Sequence, residues 1–265
     1  MRTLAGGDLV VSRSGAVLEV RLNRPAKRNA VTSAMVDALA AVVASAPEEG
    51  VTVLVLRGEG GTFCAGADIA AYSDAAADPA ALASFTRRAR ALCTALENAP
   101  LVVVVVVEGL ALGGGFELVL AADIVVAAEG ARFGLPETRL GLIPGWGGTQ
   151  RLARSIGPAA ARFAILTAAV LPAERLATAG LVSVLVPAGD LDAAVGDLVA
   201  QLASSAPRAQ RAAKEAIALG ADEHLGDSPG AERETEHLLA LFASADGLEG
   251  VAAFTEKRAP VFTGH

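Results

Sequence analysis

The chain has 265 residues, of which 53% are hydrophobic but only 4% aromatic, so its core must be built from Ala, Val and Leu packed at short distances. This length allows one large α/β domain with a smaller appendage. The formal net charge of -7 excludes a broad basic face for nucleic acid or for an anionic membrane, and a polyanionic ligand would need a local basic pocket.

The cysteines and the most apolar segments indicate the class of protein. Cys64 and Cys93 are too few for a disulfide framework, and neither has a Cys or His nearby at metal-ligand spacing. Asp8 falls where a signal peptide would need an apolar stretch. The most apolar run, residues 101–107, is much shorter than the roughly 20 residues needed to span a bilayer. We therefore expect a cytoplasmic protein with reduced cysteines, no metal, no nucleic-acid partner and no membrane partner.

The first hundred residues predict two strands, a helix, a strand and a helix. Alternating hydrophobic residues predict a hairpin over residues 9–22, with residues 12–15 as its turn. Hydrophobic residues at helical spacing follow a cap at Thr32/Ser33. The next predicted elements are a helix over residues 33–46, a buried strand over 51–57 and a helix over 82–97.

A continuous run of β-branched residues at 101–107 predicts a strand that is covered on both faces. A helix through Ala121 follows a triple glycine, then come strands at 123–127 and 132–133. Beyond Gly145 the pattern predicts helices alone, at residues 149–155, 159–167, 172–179, 191–204, 208–219, 231–243 and 247–257. A boundary near Ala206 divides a catalytic core, residues 1–206, from a C-terminal helical segment, residues 207–265.

The triple glycine Gly113-Gly114-Gly115 lies between a buried strand and a helix. Glycine lets the backbone approach a ligand closely, and the amide hydrogens and the helix dipole would face that ligand. The segment is a candidate oxyanion or phosphate site, although a tight strand-to-helix turn explains the same pattern. It has neither the Gly-Lys-Ser/Thr of a nucleotide triphosphate loop nor the glycine spacing of a dinucleotide fingerprint.

Two glutamates near this turn are candidates for acid/base chemistry. Glu117 lies between Phe116 and Leu118, so hydrophobic neighbours should bury its carboxylate and raise its pKa toward neutrality. The alternative is a helix-start glutamate that pairs with the helix dipole or with an arginine. Glu137 follows Pro136, which can fix the direction of its carboxylate, whereas a lone glutamate in a loop is more often solvated.

A small-residue turn, Cys64-Ala65-Gly66-Ala67-Asp68, follows a strand and its loop. Such a turn lets main-chain N–H groups point into a cleft. The alternative is an ordinary loop that leads into a helix, with Asp68 as a helix cap.

Together these stretches resemble the crotonase (enoyl-CoA hydratase/isomerase) superfamily, and the resemblance runs nearly end to end. The segments that carry it are residues 22–30 (LNRPAKRNA), 62–69 (TFCAGADI), 113–115 (GGG), 133–137 (FGLPE), 142–152 (LIPGWGGTQRL) and 253–258 (AFTEKR). The resemblance implies the crotonase-type β-β-α superhelix, an α/β fold in which helices wrap two perpendicular sheets. It also implies that the C-terminal segment helps to build a homotrimer or a dimer of trimers.

The resemblance further implies a role for the site residues. The thioester oxygen of an acyl-CoA would accept hydrogen bonds from the N–H groups of Ala67 and Gly114, and Glu117 and Glu137 would move protons to and from water. Preorganised donors of this kind contribute roughly 3 kcal/mol each in other enzymes. Gly145 matches a glycine whose main chain helps to hold the water, although it is equally explained as a turn glycine.

The same resemblance implies where coenzyme A and the acyl group bind. It places coenzyme A at Arg28, Ala65, Asp68, Ile69, Phe254 and Lys257, and the acyl group at Tyr72, Phe116 and Trp146. Some relatives carry Lys where Ala26 and Ala70 stand, so the phosphates must rely on other basic residues, of which Lys27 and Arg28 are nearest. Trp146 replaces a small residue of many relatives and would narrow the acyl pocket, unless it packs outside that pocket.

The implied activity is that of an enoyl-CoA hydratase, which adds water to a trans-2-enoyl-CoA and gives a 3-hydroxyacyl-CoA. No cofactor is expected, because coenzyme A is part of the substrate. Two sister reactions use the same oxyanion site, namely isomerisation of the double bond and hydrolysis of the thioester. A non-catalytic acyl-CoA-binding subunit is the alternative from another class, and the paired glutamates argue against it.

Overall fold

A computed structural model describes residues 1–68, 79–220, 229–242 and 244–264 of the chain, and these residues include ten strands. The strands are β1 (Arg2–Leu4), β2 (Leu9–Ser14), β3 (Val17–Leu22), β4 (Val53–Gly58), β5 (Val102–Val107), β6 (Leu110–Leu112), β7 (Ile124–Ala128), β8 (Arg132–Gly134), β9 (Val170–Pro172) and β10 (Val184–Val186). Seven of them form one sheet in the order β1-β2-β3-β4-β5-β7-β10, and β6-β8-β9 form a second, smaller sheet. The predicted α/β class with two sheets is confirmed.

Helices alternate with strands as far as β8, and most of the elements after β8 are helices. They are α1 (Ser33–Ser45), α2 (Pro79–Glu97), α3 (Gly114–Val119), α4 (Gly148–Ile156), α5 (Pro158–Leu166), α6 (Ala173–Thr178), α7 (Leu191–Ala203), α8 (Pro207–Gly220), α9 (Pro229–Phe242) and α10 (Ala245–Glu256). Short 3-10 segments lie at Ala5–Gly7, Pro25–Lys27, Pro136–Leu140 and Ala188–Asp190. The predicted cap of α1 is confirmed, because the Thr32 hydroxyl accepts the Met35 N–H at 3.2 Å.

The valines of β5 explain the central position of this strand, which pairs in parallel with β4 and β7. The odd-numbered valines, 103 to 107, face the larger core, whereas the even-numbered valines, 102 to 106, face a second core beneath α7. Leu191 and Val195 of α7 close that second core. The predicted cover on both faces is therefore confirmed, and it makes β5 a fixed base for the segments that follow it.

Two predictions of local structure are wrong. The chain beyond Gly145 is not helical throughout, because β9 joins the small sheet and β10 pairs in parallel with β7. Each has only three residues, which is too short to show an alternating pattern. The hairpin turn is also shorter than predicted, since β2 continues through Ser14 and pairs Ser14 with Val17.

The C-terminal segment is tied to the core through Lys214 of α8. The Lys214 ammonium lies 2.8 Å from Asp123 Oδ2 and donates to the carbonyls of Leu96 and Leu101 at 3.3 Å and 3.1 Å. The same Asp123 oxygen accepts the Val103 N–H at 2.7 Å. One ammonium group thus connects α8 to the end of α2 and to the sheet. The predicted division of the chain near residue 206 stays a prediction.

Replacing Lys214 by Met should lower the free energy of unfolding by about 3 kcal/mol, because it leaves the half-buried Asp123 without its cation. Urea denaturation would measure the loss. As a control, Asp192→Asn removes the partner of Arg57, and Asp192 is 81% exposed, so that loss should be about 1 kcal/mol or less. Equal losses in the two variants would contradict a special role for Lys214.

Among the described residues, no single helix combines the length and the apolar character needed to cross a membrane. One pair of helices, Thr235–Leu241 and Ala245–Glu256, meets both criteria when taken together, but the pair is bent by 73°. No group of three or more His, Cys, Asp or Glu in the same part of the chain could hold a metal ion.

Candidate active site

The turn at residues 64–68 is held by hydrogen bonds that leave one of its amides free. The N–H of Cys64 donates to Leu110 O, that of Ala65 to Arg28 O and that of Asp68 to Val31 O, each at 2.9 Å. The N–H of Gly66 faces the Cys64 sulfur at 3.4 Å. Within the described residues, the Ala67 N–H donates to no protein group. It is therefore available to a ligand.

A second free amide lies beside the first. Gly113 donates its N–H to Gly134 O at 2.9 Å, but the N–H of Gly114, the first residue of α3, donates to no described residue. A Cβ atom added to Gly66 would lie 3.6 Å from the Gly114 nitrogen, so the two segments are in contact. The structure thus brings together Ala67 and Gly114, the two donors that the sequence predicted.

Glu117 lies one turn into α3 and is buried, with 1% of its surface exposed. Its Oε1 atom accepts the Trp146 N–H at 2.7 Å and the Gly148 N–H at 2.8 Å. Within the described residues its Oε2 atom accepts no hydrogen bond, so one oxygen is fixed and the other is free to react. This arrangement agrees with the predicted burial, and the hydrogen-bond donors to Glu117 are two main-chain amides rather than the arginine of the alternative interpretation.

Glu137 approaches the triple glycine from the 3-10 segment Pro136–Leu140. Its Oε1 atom lies 3.1 Å from the position that a Cβ on Gly113 would take. Its Oε2 atom is buried and has no hydrogen-bond partner in the described part of the chain. A buried oxygen without a partner costs free energy, so this atom is suited to bind a ligand or a water molecule.

The pKa values of both carboxyl groups are raised. Burial raises the pKa of Glu117 to about 7, against the opposing effect of the two N–H donors and of Arg151, and the charge of Glu137 raises this pKa further. Burial also raises the pKa of Glu137, although its own backbone N–H opposes the rise. Near neutral pH the pair can therefore hold one ionised and one protonated carboxyl group.

Replacing Glu117 by Gln should raise the free energy of unfolding, relative to that of the wild type, more at pH 8 than at pH 4.5. The folded-state pKa is raised from 4.5 to about 7, so the wild type loses stability as pH rises through this window, by about 3 kcal/mol. A Gln side chain loses no proton and keeps an oxygen for the Trp146 and Gly148 amides.

Urea denaturation at both pH values would measure the difference in unfolding free energy between the variant and the wild type. Glu137→Gln should change the stability in the same direction, because the pKa of Glu137 is also raised. A difference that stays constant from pH 4.5 to pH 8 would contradict the raised pKa of Glu117.

The predicted coenzyme A residues are only partly brought together. Arg28 and Ala65 are in contact through a backbone hydrogen bond, and Asp68 forms an ion pair with Arg24 at 2.9 Å. Phe254 is 87% exposed on α10, a helix that packs against α9, and Lys257 follows at the end of that helix. Ile69 lies outside the described residues. The role of all six in binding coenzyme A stays a prediction.

The predicted acyl-pocket residues have different surroundings. Phe116 is buried and packs against Phe133, with ring centroids 5.4 Å apart, so the contacts seen are those of a core residue. The Trp146 ring lies against Gly114 and packs edge-on to Phe85 at 5.8 Å. Tyr72 lies outside the described residues. Trp146 is thus beside the candidate site, and its contact with an acyl group stays a prediction.

Asn29 holds the segments around the site together, a role that sequence reasoning missed. It is fully buried, and its side-chain oxygen accepts the Arg24 N–H at 2.8 Å. Its amide nitrogen donates to Glu59 O and Thr62 O at 2.9 Å and 2.7 Å, which ties residues 24–29 to the loop that leads into the 64–68 turn. Asn29 lies in the segment LNRPAKRNA, but nothing in that segment predicts hydrogen bonds to the distant carbonyls of Glu59 and Thr62.

Comparisons with known proteins agree with this geometry. The family model described as enoyl-CoA hydratase/isomerase matches residues 12–265. The 2,3-dehydroadipyl-CoA hydratase of Escherichia coli (strain K12) is 40% identical over 259 residues, which cover 97% of this chain and 99% of that protein. The mitochondrial methylglutaconyl-CoA hydratase of Rattus norvegicus is 37% identical over 94% of this chain and 79% of that protein. The crystal structure of an enoyl-CoA hydratase from Bacillus anthracis superposes with a TM-score of 0.91 at 35% identity, covering 97% and 100% of the two chains.

The chain therefore belongs to the enoyl-CoA hydratase/isomerase family and has the crotonase fold. It is an enzyme of the hydratase type, a lyase, as the sequence predicted.

Proposed function

We propose that this enzyme catalyses the reversible syn addition of water to a trans-2-enoyl-CoA and so forms a 3-hydroxyacyl-CoA. One observation carries the proposal: the buried carboxyl group of Glu117 and the half-buried one of Glu137, whose Oε2 atom is buried, lie near the two free amides of Ala67 and Gly114. An isomerase needs only one group that shuttles a proton, whereas hydration needs one group that removes a proton from water and one that delivers a proton to carbon.

Different groups of the site carry out the separate steps of the reaction. The N–H groups of Ala67 and Gly114 donate to the thioester oxygen and stabilise the enolate that forms when the oxygen of water attacks C3. The ionised carboxylate of the pair accepts the proton of that water. The protonated carboxyl group delivers its proton to C2, where the electron pair of the former double bond forms the new C–H bond. The net change is the addition of one water molecule, so the reaction requires no redox cofactor.

The free oxygens of the two carboxylates are the atoms that would bind the attacking water molecule. Glu137 Oε2 is buried and has no hydrogen-bond partner among the described residues. Glu117 Oε1 is held by two amides, which leaves Glu117 Oε2 for the water. The N–H of Gly145 also donates to no described residue, and it lies next to the Trp146 amide that binds Glu117. We assign Gly145 the role of a third group that orients the attacking water.

The binding of coenzyme A and the assembly of the enzyme belong to the same proposal. Arg28, Ala65, Asp68 and Ile69 would hold the adenine and the 3'-phosphate, with Phe254 and Lys257 supplied by the C-terminal helix. Exposed apolar residues recur along one side of α10 at Leu248, Val251 and Phe254, which supports contact with another subunit. A mass measurement in solution should give a homotrimer or a dimer of trimers, and a monomer would contradict this assembly.

A panel of enoyl-CoA thioesters from short to long chains would test the reaction by loss of the conjugated enoyl thioester absorbance. The panel should include 2,3-dehydroadipyl-CoA and methylglutaconyl-CoA, for which two relatives are named. A 3-hydroxyacyl-CoA product is the expected result. Turnover of 3-enoyl substrates alone would indicate an isomerase, and release of free coenzyme A would indicate a hydrolase. Calorimetric binding without any absorbance change would indicate a non-catalytic subunit.

A further inference from the structure

The two amides that hold Glu117 belong to a turn whose shape is fixed from its other side. The carbonyl of Trp146 lies in the peptide unit between the Trp146 and Gly148 amides, and it accepts a hydrogen bond from Arg151 Nη1 at 2.9 Å. Gly147 has φ +111°, and a Cβ there would lie 2.1 Å from the same Arg151 nitrogen. The guanidinium therefore packs directly behind the turn, where a residue without a Cβ leaves room for it.

The Arg151 guanidinium is itself held in place by α2. It is 8% exposed, and its Nε and Nη2 atoms donate to Glu97 Oε2 at 3.1 Å and 2.7 Å. Nη2 also lies 3.3 Å from Thr94 Oγ1. Because a planar guanidinium with several fixed donors has little rotational freedom, one rigid group links α2 to the Trp146 carbonyl.

We propose that Arg151 is the positioning residue of the acid/base pair: anchored by Glu97 and Thr94, it orients the turn so that the Trp146 and Gly148 amides face Glu117. The inference rests on the proposed function, because it names the group that positions the glutamate of that site. Arg151 acts through the turn and through its charge, without contact with the substrate.

The charges around Glu117 define what its titration should show. Glu137 faces it from the 3-10 segment Pro136–Leu140, Arg151 faces it from α4, and the thiol of Cys93 lies near both Glu117 and Arg151 on α2. Burial raises the pKa of this thiol to about 12, so the thiol is neutral at working pH. Arg151 is a cation that lowers the pKa of Glu117, so its loss should raise the pKa of that carboxylate.

Trp146 supplies a measurement that does not depend on activity. It is the only tryptophan of the chain, and its amide donates to Glu117. We expect its fluorescence to titrate in the wild type with a midpoint near pH 7, and we expect that titration to disappear in Glu117→Gln. In Arg151→Met the midpoint should move to higher pH, and kcat for hydration should fall about 10- to 100-fold with a smaller change in KM.

Arg57→Met is the matched control. Arg57 has a similarly buried side chain and an ion pair with Asp192, but it lies on β4 and forms no hydrogen bond or ion pair with the turn among the described residues. This variant should lose stability while it keeps the wild-type kcat and the wild-type fluorescence midpoint. If Arg57→Met and Arg151→Met change both quantities equally, Arg151 is merely structural and the inference is overturned.

Arg151→Lys provides a second test, which also applies if Arg151→Met does not fold. Lysine keeps the positive charge but replaces the fork of donors by one ammonium group. The fluorescence midpoint should then stay near that of the wild type while kcat falls, and a wild-type kcat would overturn the inference. An enzyme without hydratase activity would refute the proposed function instead, since the fluorescence titrations of all these variants would still be measurable.

Discussion

Replacing Glu117 by Gln should lower kcat for water addition at least about 100-fold, because a general acid or base of this kind contributes roughly 10²- to 10⁴-fold. The amide is nearly isosteric, and its oxygen can still accept the Trp146 and Gly148 N–H groups, so the turn should keep its shape. What the variant loses is the proton and the charge. Steady-state hydration of an enoyl-CoA across pH 5 to 9 measures the effect.

The matched variant is Glu137→Gln, which should cause a loss of similar size. The double variant should be little worse than either single variant, because the two carboxylates act as a unit. Calorimetric binding of coenzyme A to all three proteins serves as the control and should match the wild type. If either single variant retains wild-type hydration, the assignment of that glutamate to the chemistry is wrong.

Replacing Gly114 by Ala should lower kcat/KM for hydration by about 10²- to 10³-fold, the size of effect expected when one oxyanion donor is lost. A Cβ at this position would lie 2.5 Å from the Trp146 ring, far closer than atoms of this kind approach. Trp146 is 2% exposed and its ring also packs on Phe85, so the ring has little room to move aside. We therefore expect the main chain to shift, and the Gly114 N–H to shift with it.

A double variant tests this explanation directly. Trp146→Ala removes the ring that a Cβ on Gly114 would meet, while the Trp146 amide that binds Glu117 belongs to the main chain and remains. Gly114→Ala in the Trp146→Ala background should therefore cost much less activity than in the wild type. Equal costs in the two backgrounds, measured as kcat/KM on proteins with wild-type circular dichroism, would contradict the steric explanation.

The sequence by itself determined the features that depend on neighbouring residues. The run of valines in β5 predicts a strand covered on both faces, because alternate side chains of a strand point to opposite sides and every one of these is apolar. Thr32 predicts the start of α1, because its hydroxyl caps an amide only three residues further along the chain. Glu117 and Glu137 were likewise identified from motifs in the chain, together with the residue types that hydration requires.

The tertiary structure alone decided which groups are free to react. The amide of Ala67 is available because Arg28, Val31 and Leu110, all distant in the chain, satisfy its neighbours. Arg151 reaches Glu97 across 54 residues, a pairing that no local spacing indicates. The three-residue strands β9 and β10 exist only because partners are present at the edges of their sheets. Patterns along the chain record local preferences, whereas an unpaired amide or a buried carboxylate results from contacts between segments that the fold brings together.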